Sequence, residues 1–183
     1  FGGQDDLRRG VIRCVGDPAE RFAEDALRML RALRFAARLS FCIDGETAAA
    51  IHAARTRLRA VAPERLHKEL SGILCGRQAA ALLEEFSDVL FELIPELAPC
   101  QGFRQYNPHH TRDVWTHTLA VVDGVPPEEP LRLAALLHDA GKPATFFFDK
   151  NLVGHFYGHP AAGAAVTEEV LRRLRYDLSL IHI

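Results

Sequence analysis

The 183 residues, 48% hydrophobic and 25% charged with a formal net charge of −2, describe a soluble, globular protein large enough for one or two small cores. Cys14, Cys42, Cys75 and Cys100 are far apart and form no CxxC pair, which excludes a disulfide framework and a cysteine-based zinc site and points to a reducing, cytoplasmic setting. No stretch approaches the roughly 20 apolar residues of a membrane span, and FGGQDDLRRG is not a secretory leader, so no membrane partner is expected.

The opening lacks an initiator methionine, and a longer protein is expected upstream. Near-neutral charge does not exclude nucleic acid, because local arrangement decides. Arginine is crowded into residues 8 to 77, whereas seven of the nine histidines lie from His109 onward. Two functional halves are expected.

In chain order, GVIRCVG (10–16) reads as one strand bounded by glycines. DPAERFAEDALRMLRALRFAARLSF (17–41) predicts one long amphipathic helix. Asp17 stands before Pro18 at its start, and apolar residues recur at helical spacing at 26, 29, 30, 33, 36 and 37. DGETAAAIHAARTRLRAV (44–61), APERLHKELSGILCG (62–76) and RQAAALLEEFSDVLFELI (77–94) predict three more helices. PELAPCQGFRQYNPHH (95–110), rich in Pro, Gly and Asn, reads as a linker. Beyond it, TRDVWTHTLAVVDGV (111–125) and EEPLRLAALLHDAGK (128–142) read as helices, ATFFFDKNLVGHFYGH (144–159) as an irregular loop, and PAAGAAVTEEVLRRLRYD (160–177) as a last helix. The expected fold is mainly α, with a residual strand at the N-terminus.

At about 100° per residue, Arg28, Arg31, Arg34 and Arg38 fall within an arc of roughly 120° that also holds Glu24. Glu24 and Asp25, at i,i+4 and i,i+3 from Arg28, could fix its guanidinium. Such a face is either a solvated surface laced with ion pairs or an array that hydrogen-bonds a planar polar ligand and, through the outer arginines, phosphates.

FGGQDDLRRGVIRCVGDPAERFAEDALRMLRALRFAARL resembles the segment joining head to neck in class II CCA-adding tRNA nucleotidyltransferases and the related bacterial poly(A) polymerases. The similarity runs from residue 1 to about 95 and rests on Gly-Gly-x-x-Asp-Leu at 2–7 and Glu-Asp-x-x-Arg at 24–28. It implies that Asp25 and Arg28 read the base edge of incoming CTP or ATP, with Glu24 orienting them. It also implies that Arg65 and Glu69, in an Arg-x-x-x-Glu motif, brace the neck; the charged face itself offers Arg31, Arg34 and Arg38 as the arginines that contact tRNA. The family's two catalytic aspartates, which bind Mg2+, lie in a head upstream of the Gly-Gly stretch. No residue of this chain is therefore expected to catalyse nucleotidyl transfer.

His117 lies on the interior face of its predicted helix, with Val114 and Val121. His138 and Asp139 follow LRLAALL at a helix end, with Gly141 expected to close it as a C-cap. Imidazoles and a carboxylate arriving from two apolar helices are costly to bury unpartnered, and a divalent metal is one efficient partner. DVWTHTL, AALLHDAGKP and GHFYGHPAAGA together resemble an HD domain, the metal-dependent phosphohydrolase superfamily, over about residues 104–177. The resemblance implies that His117, His138 and Asp139 ligate a divalent transition metal, with His155 or His159 serving a second metal or a phosphate. Lys142 reads either as a solvated helix-end lysine or as a group steadying a phosphate oxygen. The family's closing aspartate has no counterpart before residue 183, Asp177 coming too soon after the preceding helix.

The expected organisation is a head remnant (1–16), a helical neck (17–97), an HD domain (104–177) and a non-native tail, LSLIHI, at 178–183. The expected function is part of a tRNA nucleotidyltransferase that adds or repairs the 3′ CCA end, with tRNA, CTP and ATP as partners. The alternatives are a stand-alone HD phosphohydrolase, a poly(A) polymerase and an RNA-binding module. Spacing does not separate CCA from CC-only, A-only or poly(A) addition, and it gives no oligomeric state.

Overall fold

The long amphipathic pattern of residues 17–41 does not fold as one helix. In the computed structural model, which describes residues 2–106, 112–177 and 179, it forms α2 (Pro18–Glu24) and α3 (Leu27–Leu39). Between them Asp25 adopts an extended conformation, with φ −150° and ψ 104°. Its side chain accepts a hydrogen bond from Leu27 N at 3.1 Å, and its backbone N–H still closes α2 on Arg21 O. A short carboxylate that competes for nearby backbone N–H groups favours such a junction over a helix interior.

The chain is mainly α: eleven α-helices are found among the described residues, with four two-residue strands. It divides into two compact units, residues 1–93 and 94–183. In the first, α1 (Gly3–Arg9) leads into β1 (Val11–Ile12). The predicted strand is thus two residues long, and it pairs in parallel with β2 (Cys42–Ile43), with Val11 opposite Cys42. Next come α4 (Gly45–Ala54), a 3₁₀ helix (Arg55–Ala60), α5 (Pro63–Leu74), α6 (Ala79–Glu85) and α7 (Ser87–Leu93). Asp17 and Asp44 cap α2 and α4, accepting from Glu20 N and Thr47 N, as short acceptors do at helix starts. The helix predicted over 77–94 breaks at Phe86, a buried residue.

The core of this unit forms where α3 meets α5. Leu30, Leu33, Leu70, Ile73, Phe86 and Leu90 face one another around a small interior void. Two glycines allow the approach. A Cβ at Gly76 would lie 2.4 Å from Ala37 Cβ, and one at Gly72 would lie 2.4 Å from Arg34 Cδ.

The second unit begins with a 3₁₀ helix (Pro95–Cys100), so residues 94–97, expected in the neck, pack here. It continues with α8 (Val114–Gly124), α9 (Glu129–Leu137), α10 (Lys142–Thr145), β3 (Phe147–Phe148), β4 (Gly154–His155) and α11 (His159–Arg173). The stretch expected as an irregular loop carries an antiparallel pair, Phe147 opposite His155. Its core holds Trp115, Leu119, Leu133, Leu136, Val170 and Leu171. Arg173 from α11 makes a two-pronged hydrogen-bonded contact to Glu96, both bonds 2.7 Å. Most of the LSLIHI tail lies outside the described residues, and no helix among the described residues is long and apolar enough to cross a membrane.

Candidate functional site

Two constellations are built by these units, one in each. In the first, the break at Asp25 separates the charged groups that an unbroken helix would stack. Arg28 Nη1 bonds the Glu24 carboxylate and donates to Arg21 O at 3.0 Å, while Arg21 itself reaches Glu24 at 2.8 Å. Asp25 does not join that pair as the helical spacing predicts. It accepts from Arg65 Nη2 on α5 at 2.9 Å. Some burial works against its charge, but the Leu27 N–H and the Arg65 guanidinium hold its carboxyl below the ordinary range. The hydrogen bond from Arg28 lowers Glu24 as well.

Arg65 and Glu69 therefore do not brace the unit through each other, although their spacing allows an i,i+4 pair. Arg65 serves Asp25, and Glu69, 7% exposed, pairs with Arg34 Nε at 2.6 Å. Arg34 is thus drawn toward α5 and away from the face expected to meet tRNA. Arg31 and Arg38 remain exposed. Arg21, Arg28 and Arg31 line one cavity of about 440 Å³ with Cys14, Phe22 and Phe35. An aromatic and an aliphatic wall beside three guanidinium groups can take a flat, polar, anionic ligand.

In the second unit, α8 delivers His117, and the turn after α9 delivers His138 and Asp139. Their ligand atoms all lie within 4.8 Å of one another, and theirs is the one group of three or more potential metal ligands among the described residues. Asp139 is 3% exposed, and its Oδ2 is 3.1 Å from His138 Nε2 and 3.7 Å from His117 Nε2. His138 Nδ1 lies 2.8 Å from Ala135 O, which can only accept, so Nδ1 carries a proton and Nε2 is the nitrogen that faces Asp139 Oδ2. That 3.1 Å approach calls for a proton or a metal ion between the two atoms.

Without a metal the cationic partners carry the site. Burial opposes the charge on Asp139, but His138 and Lys142 bring its pKa down to about 2. Burial likewise opposes the imidazolium, yet the Asp139 carboxylate and the Ala135 carbonyl raise His138. Lys142 is not the solvated helix-end lysine that sequence allows: it is 6% exposed, with Nζ 2.8 Å from Asp139 Oδ2. Nitrogen and carboxylate donors in this set fit a divalent transition metal. His155 and His159 are not brought into the group. His155 Nε2 pairs with Asp149 Oδ2 at 3.0 Å, and His159 Nδ1 contacts Phe156 O at 2.8 Å.

Gly141 has a different role from the left-handed cap expected of it, with φ −80°. A Cβ there would lie 2.5 Å from both Gly163 N and His159 O, so the residue lets the start of α11 press onto the histidine–aspartate turn. Gly141→Ala pushes against backbone rather than a movable side chain, and an overpacking cost of about 1–3 kcal/mol is expected. Chemical denaturation checks this, an unchanged midpoint being the contrary result.

Residues 40–100 match the family described as the probable RNA and SrmB-binding site of polymerase A, and residues 109–183 match the HD domain. The A-adding tRNA nucleotidyltransferase of Deinococcus radiodurans is 36% identical over 96% of this chain and 43% of its own length. The CC-adding tRNA nucleotidyltransferase of Thermus thermophilus is 37% identical over 98% of this chain and 44% of its own. The chain belongs to the class II CCA-adding tRNA nucleotidyltransferase and bacterial poly(A) polymerase family. It spans less than half the length of these curated relatives. A solved tRNA-processing enzyme in an apo form shares the fold, with a TM-score of 0.62 over 100% of this chain and 46% of its own, at 23% identity.

Among family members whose names specify A-addition and CC-addition, this chain is nearly equidistant. The Asp25 junction and the buried Lys142 are the features that sequence reasoning missed. An aspartate inside an apparent helix was the available signal for the first; the second left none in its own stretch, since Gln105 and Phe156, which face the ammonium, are distant in sequence.

Proposed function

We propose that this chain is the neck and HD part of a tRNA nucleotidyltransferase that adds or repairs the 3′ CCA end, using CTP and ATP in the cytoplasm. The observation that carries the reading is the fixed array at the α2–α3 junction, where Glu24 orients Arg28 and Arg65 orients Asp25. A carboxylate accepts from the exocyclic amine that cytosine and adenine share, and an arginine donates to a ring nitrogen or carbonyl. Holding each member by a second charged group fixes these donors and acceptors before the nucleotide arrives. Arg31 and Arg38 are the phosphate-contacting arginines in this reading, while Arg34 holds α3 to α5.

Nucleotidyl transfer is assigned to a head domain with Mg2+, outside these residues. His117, His138 and Asp139 would hold a divalent transition metal that, when bound, supplies Lewis-acid chemistry for phosphoester hydrolysis. His138, oriented by Ala135 O, presents Nε2, and the buried Asp139 presents Oδ2. The test is to join the chain to its family's head domain and assay incorporation of CTP and ATP into tRNA lacking CCA. Incorporation that requires residues 17–97 supports the reading, and a head equally active without them contradicts it.

A further inference from the structure

Gln105 precedes α8 and stands outside every constellation that the sequence singles out, yet it is 2% exposed and both ends of its amide are engaged. Nε2 donates to Arg112 O at 3.2 Å. Oε1 accepts from Lys142 Nζ at 2.9 Å. The same ammonium lies 2.8 Å from Asp139 Oδ2 and 5.3 Å from the centre of the Phe156 ring. The backbone around Gln105 is held too, since Gly154 N donates to Tyr106 O at 2.8 Å and a Cβ on Gly154 would lie 2.3 Å from Gln105 O.

The carboxylate oxygen that Lys142 contacts is the one nearest His138 and His117, and so the one a metal ion needs. A buried ammonium stripped of its acceptor is costly. Were Asp139 its sole anionic or polar partner, metal and lysine would compete for one atom. We propose that Gln105 is a positioning residue that gives Lys142 a second acceptor, releasing Asp139 Oδ2 to a divalent metal ion without leaving the ammonium unpartnered. This role rests on the metal reading of the HD site and concerns affinity for the ion.

Calorimetric titration of the 183-residue chain with Mn2+ tests it, alongside thermal melts of the metal-free variants. Gln105→Leu should weaken Mn2+ binding about tenfold, the scale of one hydrogen bond to a charged group. Adding Lys142→Met to Gln105→Leu should restore affinity to the wild-type value or beyond, because no ammonium then competes. Gln105→Glu, which holds Lys142 by charge, should bind at least as tightly as the wild type, and it decides the matter if Gln105→Leu does not fold. A purely structural role predicts that the double variant stays as weak as Gln105→Leu; that result, wild-type affinity in folded Gln105→Leu, or weakened binding in Gln105→Glu overturns the proposal. A wild-type chain that fails to bind Mn2+ contradicts the metal reading itself, and this role with it, whereas wild-type binding that Gln105→Leu leaves intact contradicts the role alone.

Discussion

Asp139→Ala is expected to abolish divalent-metal binding and to cost about 3–5 kcal/mol of stability, the penalty for breaking a buried ion pair from one side. Lys142, with a side chain 7% exposed, would lose its only carboxylate partner among the described contacts. Gln105 remains as an acceptor, but a neutral amide offsets only part of that loss. His138, whose pKa is raised chiefly against burial by the same carboxylate, loses its partner as well. Urea denaturation of the metal-free chain separates the two effects, since the stability loss should appear with chelator present. Combining Asp139→Ala with Lys142→Met should recover much of the stability and none of the metal binding. A single variant as stable as the wild type would contradict the ion-pair account.

Glu69→Ala is expected to be nearly as damaging, at about 3 kcal/mol, the lower end for a buried pair. Its partner Arg34 is only 21% exposed at the side chain, and the space it occupies exists because Gly72 has no Cβ. Removing the carboxylate leaves a guanidinium wedged between α3 and α5, where the unit concentrates its core. Glu69→Gln keeps an acceptor and should lose less. A denaturation midpoint for Glu69→Ala within error of the wild type would show that Arg34 finds solvent at no cost.

The helix starts were legible because their chemistry is local: Asp17, Asp44 and Asp113 each precede a helix and each accepts from a backbone N–H three residues on. The histidine–aspartate cluster was legible for a related reason, His117 standing on the apolar α8 and His138 and Asp139 in the turn that ends the apolar α9. What sequence did not reveal depends on distant partners. Helical periodicity runs through Asp25, and Arg65, forty residues away, joins the Leu27 N–H in fixing its side chain on the far side of the break. Arg34 shares an arc with Arg31 and Arg38, and a buried glutamate on another helix decides that it turns inward. The parallel pairing of Val11 with Cys42 and the Phe147–His155 pair involve strands too short to register as alternation. Gln105 carries no signal of its own, because its role exists only once Lys142 has been folded beneath it.

The proposed reading of the base by Asp25 and Arg28 predicts the nucleotide choice of the full enzyme. The direct measurement is the ratio of CTP to ATP incorporation into tRNA lacking CCA by the head-bearing enzyme, compared with its Asp25→Ala and Arg28→Ala forms. Loss of one to two bidentate hydrogen bonds to a base edge should relax discrimination by about tenfold or more, while the enzyme still joins nucleotides. Selectivity unchanged in both variants would contradict the assignment of Glu24, Asp25 and Arg28 as the residues that read the base.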